Sequence, residues 1–243
     1  PVDRRQRQMC IRDRSYGHHT YNKKISVENE DIYDLASITK ILVSLPLIIR
    51  EIELKSLTYD SSLSSFFPKI NLFEKRNIKL KEMLSHYSRL TPWIPFYKET
   101  LDSVTNMQLD SYYSNKKTSD FNIEVREGLY MQLWDDIIFD KIIKSELLES
   151  KEYKYSDLPY YLIKKYLEDK YGKSLDKLIR DYIFSKNGML SLNFNPYKTI
   201  DLNKIVPSEI DDYFRLGELR GYVHDMGAAT VSYTHLTLPT INW

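Results

Sequence analysis

The chain has 243 residues, with 35 Lys and Arg against 34 Asp and Glu, for a net charge of +1. That length suffices to bury the core of one or two domains. Charges this evenly balanced give no compositional case for a nucleic-acid binder, and the longest apolar run, "ILVSLPLII" at 41–49, falls far short of the ~20 residues of a helical membrane span.

The first segment, "PVDRRQRQMCIRDRS", reads unlike its neighbours, and so does the last, "AATVSYTHLTLPTINW". Arg4 to Asp13 can be encoded as CGT CGG CAG CGT CAG ATG TGT ATA AGA GAC. The reverse complement of that word translates as V-S-Y-T-H-L-T-L-P-T, which is Val231 to Thr240 residue for residue. The DNA word resembles a transposase adaptor used in preparing sequencing libraries, so 1–14 and 231–243 read as translated adaptor and carry no fold information. The body, 15–230, loses Arg4, Arg5, Arg7, Arg12 and Arg14 with Asp3 and Asp13, which leaves 30 basic and 32 acidic residues from the chain's 35 and 34, a net of −2. Its basic arm disappears with them. The one cysteine, Cys10, lies in the excluded word, so disulfides and thiol catalysis drop out and cysteine usage says nothing of compartment. The body is expected to be a fragment truncated at both ends.

Within it, 16–36 shows short β-prone pieces joined by polar turns, the end of a strand pair. From 37 to 57 the pattern is helical, with Ile41, Leu42, Leu45, Ile48, Ile49 and Ile52 recurring at three- and four-residue steps. Pro46 removes a backbone donor inside that run and predicts a kink. A short amphipathic helix is expected over 78–88, and the polar, poorly periodic stretch 98–130 reads as a helical insertion or a long surface loop. The clearest architecture is 155–190. An amphipathic helix over 158–170 turns Leu158, Tyr161, Leu162 and Leu167 inward, and a turn follows at Gly172. A second helix is capped by Ser174 and stopped by Gly188. The whole reads as helix-rich with a minority of strand.

The pattern Ser-x-x-Lys occurs at Ser37/Lys40, Ser114/Lys117 and Ser174/Lys177. A serine hydroxyl is a poor nucleophile at neutral pH and needs an adjacent base. Residues i and i+3 of a helix share a face, and an apolar site favours the neutral amine that can take the serine's proton. A serine at a helix N-terminus also finds backbone N–H groups beside the developing oxyanion. Ser114 and Lys117 sit in polar "SYYSNKKTSD", and N-capping explains Ser174. Ser37 alone opens a long apolar helix, and Lys40 is the only cation between Asp34 and Arg50. Ser37 and Lys40 are therefore the candidate nucleophile and base.

In these residues the chain resembles the serine β-lactamase and penicillin-binding-protein superfamily, in its class C-like branch. "YDLASITK" is similar to the nucleophile motif. "IKLKEMLSHYSRL" is similar to that family's helix and turn, "YSDLPYYLIKKYLEDKYGKSLDKLI" to its tyrosine motif and following helix, and "IRDYIFSKNGML" to its Gly-Met continuation. "WIPFY", "NPY", "IVPSEIDDYFR" and "GYVHDMGAA" look like a branch found in Bacteroidota-type bacteria, sometimes fused behind a family 3 glycoside hydrolase domain. The match covers most of 16–229.

The resemblance implies an α+β, β-lactamase/transpeptidase-like fold, here a helix-rich fragment with part of the antiparallel sheet missing. It implies acyl-enzyme chemistry on an amide or ester (a D-amino-acid peptide, a β-lactam or a small ester), a periplasmic or secreted location, and no cofactor or metal. Ser37 would be acylated, Lys40 would be its base partner and Tyr155 the second base. Ser37's own N–H would be one oxyanion donor. Asp157 would bear on recognition of the substrate amide, and Trp93, Phe96 and Tyr97 in "PWIPFY" read either as lining of the substrate cleft or as aromatic packing under a loop. "YSN" at 113–115 fits the tyrosine motif more literally, but no amphipathic helix follows it, which favours Tyr155. Asp157 stands where that family has asparagine, Arg89 where it has a turn glycine, and Pro159 where a helix-start glycine is common. Its third motif, a Lys/His-x-Gly strand, is not reached, so the fragment itself is expected to be inactive. These departures leave an alternative open: a non-catalytic domain that binds cell-wall glycan-peptide or supports a fused glycosidase. His86 reads as a turn-stabilising residue, and His18, His19 and the His224/Asp225 pair as loop residues rather than metal ligands.

Overall fold

The computed structural model describes residues 15–132, 135–189, 192–212, 215–222 and 232–233. His224, Asp225 and nearly all of the two adaptor-like segments lie outside them. The architecture is α+β, helix-rich with small antiparallel sheets. The segment before Ser37 contributes two isolated bridges, His18 to Ser26 and Ile32 to Ile205, and a short strand β1 (Tyr33–Asp34), which pairs with β7 (Ser232–Tyr233).

The apolar run after Ser37 does not form one uniform helix. A 3-10 turn (Ala36–Ile38) leads to a π turn (Lys40–Ser44), then to the regular helix α1 (Leu45–Glu53). Pro46 lies in the first turn of α1, directly after the π turn, so a change in helical pitch stands just before the proline. Val43, Leu47 and Ile48 are buried, whereas Ile41 and Ile49, equally apolar in the sequence, face outward.

Short helices α2 (Leu63–Phe66) and α3 (Leu80–Leu84) follow. The stretch 98–130 is neither a helical insertion nor a plain loop. Apart from a 3-10 turn at Phe96–Thr100, it contains most of a three-stranded antiparallel sheet, ordered β2 (Tyr113–Ser114), β4 (Leu129–Gln132), β3 (Phe121–Arg126). Phe121, Ile123 and Val125 alternate with polar residues along β3, a period-two signal that the surrounding polarity masks. Gly128, at φ +71°, makes the β3–β4 turn.

Helix α4 (Asp135–Lys144) packs against α5 (Leu158–Tyr171), and α5 also touches α3 and the π turn. Leu158, Leu162, Ile163 and Leu167 form its buried stripe, and Tyr161 sits half-buried against Phe96, ring centroids 5.7 Å apart. Gly172 ends α5 at φ +61°. Ser174 holds the position before α6 (Leu175–Ile179), but its side chain makes no capping bond. Glu168 accepts the Leu175 N–H instead, at 2.7 Å. The helical path continues through a π turn (Arg180–Phe184) and a 3-10 turn (Ser185–Asn187) to Gly188 at φ +68°. A final hairpin pairs β5 (Glu209–Asp211) with β6 (Gly217–Leu219).

Candidate active site

Ser37 stands at the mouth of the helical path because of its two predecessors. Asp34 accepts the Ala36 N–H through Oδ1 at 2.8 Å, and Ala36 adopts the left-handed region at φ +43°. A non-glycine residue there stores about 1–3 kcal/mol of strain, which the neighbouring structure must hold in place. Ser37 is exposed and Lys40, one turn on, is only 3 % exposed. The Lys40 Nζ donates to Ser37 Oγ at 3.0 Å.

Tyr155 reaches the same serine from 118 residues away, donating its phenol O–H to Oγ at 2.7 Å. The "YSD" segment that carries it is laced to the turn after α3. The Lys154 N–H donates to His86 O at 2.9 Å, Ser156 Oγ donates to Thr91 O at 2.7 Å, and the Asp157 N–H donates to Pro92 O at 3.0 Å. That turn contains two left-handed residues, His86 at φ +63° and Arg89 at φ +62°. Arg89, in place of a glycine, makes up for its strained backbone by donating from Nε to Leu148 O at 2.5 Å, while its carbonyl accepts the Leu148 N–H.

Asp157 faces Lys40, with Oδ1 2.7 Å from Nζ. Lys40 also lies 5.2 Å from the ring centre of Tyr155 and 5.4 Å from that of Tyr160. Burial, reinforced by the nearby charges of Tyr155 and Asp157, pushes the Tyr160 phenol up to about 12, so it stays protonated. The imidazole of His86 lies 4.5 Å from the Tyr155 ring, centre to centre, and its Nδ1 accepts the Ser156 N–H at 3.3 Å. Burial and then the Lys40 charge hold His86 below its usual value, which keeps the ring neutral.

Four of the six sequence candidates thus meet: Ser37, Lys40, Tyr155 and Asp157. The other two stand apart from them. Trp93, half exposed, and Tyr97 have ring centres 6.3 Å apart and line a cavity of about 660 Å³ with Tyr113, Tyr130, Tyr161 and Tyr197, and none of the four converging residues lines it. The rival motifs fall elsewhere. Ser114 Oγ donates to Lys116 O, Ser174 and Lys177 lie exposed at the start of α6, and the Tyr113 hydroxyl bonds Thr100. His86 and Tyr160 complete the surround of Tyr155 and Lys40. The motif helix, in which Tyr160 follows Tyr155 by five residues, hinted at the second, whereas nothing local pointed to the contact between His86 and Tyr155. Among the described residues no group of three or more His, Cys, Asp or Glu is arranged to hold a metal, and no helix is long and apolar enough to cross a membrane.

A buried amine and a phenol converging on one exposed hydroxyl can activate it for attack on a carbonyl. Comparisons bear on the same segment. A family model described as Beta-lactamase matches residues 10–204. Among curated proteins no sequence match is found. Among solved structures, the chain is similar to a class C beta lactamase from Rhodobacter sphaeroides at 16% identity and TM-score 0.56, covering 90% of this chain and 52% of that one. It is similar to a beta-lactamase/D-alanine carboxypeptidase from Yersinia pestis at 18% identity and TM-score 0.57, covering 90% and 55%. It is also similar to a D-amino acid amidase from Ochrobactrum anthropi SV3 at 16% identity and TM-score 0.57, covering 89% and 57%. The chain therefore spans about half the length of the solved structures it matches.

Proposed function

Because the chain belongs to the Beta-lactamase family, we propose that the protein containing it is a serine hydrolase working through an acyl-enzyme on an amide or ester: a D-amino-acid peptide, a β-lactam or a small ester. The observation that carries this reading is the double contact on Ser37 Oγ, from Lys40 at 3.0 Å and Tyr155 at 2.7 Å. Ser37 attacks the carbonyl carbon while its proton passes to Lys40, and the Ser37 N–H faces the oxyanion that forms. Tyr155, already on Oγ, carries a proton to the leaving group and later activates the deacylating water. A strand carrying the second oxyanion donor completes the site outside this chain, which alone is inactive. Residues 1–14 and 231–243 are translated adaptor in this reading, and the protein works in the periplasm or outside the cell.

The aromatic cavity favours a second reading, a non-catalytic domain that holds cell-wall glycan-peptide, alone or beside a fused glycosidase. Trp93 and Tyr97 would then contact the glycan rather than an acyl group near Ser37. Treating the protein expressed from its complete reading frame with a fluorescent penicillin or a fluorophosphonate separates the two. The enzyme reading expects labelling that Ser37→Ala abolishes and Ser174→Ala retains. An intact protein that takes no label from either probe would overturn it.

A further inference from the structure

His86 holds the chain on both sides of Tyr155. Its carbonyl accepts the Lys154 N–H at 2.9 Å, and its Nδ1 accepts the Ser156 N–H at 3.3 Å. Between those two bonds the imidazole lies against the Tyr155 ring, centres 4.5 Å apart and planes tilted by 36°. The imidazole is itself wedged, with the Tyr160 ring 5.8 Å and the Tyr153 ring 6.0 Å away, centre to centre. We propose that His86 is a positioning residue for the Tyr155 phenol, keeping its hydroxyl on Ser37 Oγ for the proton transfers that Tyr155 makes.

The inference rests on the serine-hydrolase reading and goes further into the same site. Tyr155 is 41% exposed and sits in a stretch, 151–156, that is neither helix nor strand. Left to itself, a half-exposed phenol on irregular backbone would swing toward water. Yet a proton passes efficiently only when the two heavy atoms stay within hydrogen-bond reach, as Tyr155 and Ser37 do at 2.7 Å. Two bonds from one residue fix the peptide groups before and after Tyr155, and the imidazole walls one face of its ring. His86 manages this from a left-handed backbone, φ +63°, which is uncommon for any residue but glycine. The imidazole is not a rival base. Its Nδ1 already accepts an N–H, so in the neutral ring the proton sits on Nε2 and no lone pair remains for the proton of Ser37. His86 therefore acts through the Tyr155 hydroxyl, and its effect on the rate ends where that hydroxyl is removed.

The test is a double-mutant cycle on the acylation rate of the complete protein by a fluorophosphonate probe, with wild type, His86→Gly, Tyr155→Phe and the two changes together. Glycine takes the left-handed backbone without strain and retains the carbonyl that accepts from Lys154, so only the imidazole is lost. Should the glycine variant not hold its fold, His86→Asn, which also tolerates the positive φ, goes through the same cycle. Misplacing a reacting group by about 1 Å can slow a reaction about 100-fold, so His86→Gly is expected to lower the rate by about 10–100-fold while Tyr155 is intact. In the Tyr155→Phe background the same change is expected to lower it by less than about twofold, because the two residues act as one unit. Slowing by the same factor in both backgrounds overturns the proposal, since a loosened fold or a direct role for His86 acts without the hydroxyl. So does a His86→Gly rate within about twofold of wild type. Either result leaves the serine-hydrolase reading intact, whereas a wild-type protein that takes no label overturns that reading and the proposal together.

Discussion

Removing one buried carboxylate, that of Glu51, should loosen the pair of helices whose N-terminal ends carry the site. Glu51 lies on α1, downstream of Ser37 and Lys40, and is fully buried. Its oxygens accept from Lys170 Nζ and Tyr171 OH at the far end of α5, the helix that begins just after Tyr155 and Asp157, and from Arg50 Nη1 at 3.3 Å. Breaking a fully buried pair by deleting one partner costs roughly 3–5 kcal/mol, because the orphaned charge has nowhere to go. Here the partners have an exit, since the Lys170 side chain is 30% exposed and that of Arg50 27%. Both can turn toward water, so the expected loss for Glu51→Ala is about 2–3 kcal/mol. For a domain of this size that lowers Tm by about 5–10 °C. Urea unfolding followed by circular dichroism, with the slope unchanged, measures it. Lys144→Ala is the control: its ion pair with Asp140 is mostly exposed on both sides and should move stability by less than about 0.5 kcal/mol. A Glu51→Ala loss no larger than the control's would refute the claim that this carboxylate clamps the two helices.

Tyr155→Phe removes the hydroxyl that donates to Ser37 Oγ and should slow probe acylation by about 10²–10⁴-fold with stability unchanged. A rate within twofold of wild type would take Tyr155 out of the chemistry. His86 titrates below its ordinary 6.5 because it is partly buried and faces Lys40, so the unfolded chain takes up that proton first. Its contribution to stability is therefore complete above about pH 6.5 and is lost as pH falls through the depressed folded value. The urea midpoint should drop on mild acidification, and His86→Asn, whose side chain tolerates the positive φ, should lack that part of the drop. Leu162→Ala, at a fully buried position of α5, should cost about 2–5 kcal/mol by the same unfolding assay. A loss below about 1 kcal/mol would mean that α5 does not carry the core.

Periodicity alone delineated α5, its stop at Gly172 and the end of the helical path at Gly188, because helix spacing and left-handed glycines are local properties of a chain. Local order also set Ser37 and Lys40 on one face, and the helix behind Tyr155 distinguished it from Tyr113. What the sequence could not supply were contacts made by distant residues. Ile41 and Ile49 look as apolar as Ile48, yet only packing decides which of them is covered. The sheet at 113–132 was hidden because its strands are short, the alternation of β3 sits in a polar surround, and register is set by the pairing itself. The meeting of Tyr155 with Ser37, of Asp157 with Lys40 and of His86 with Tyr155 depends on how α5 and the turn after α3 dock on the π turn. No spacing within one segment encodes that docking. The sequence named the candidate groups, and the tertiary structure brought Ser37, Lys40, Tyr155 and Asp157 together.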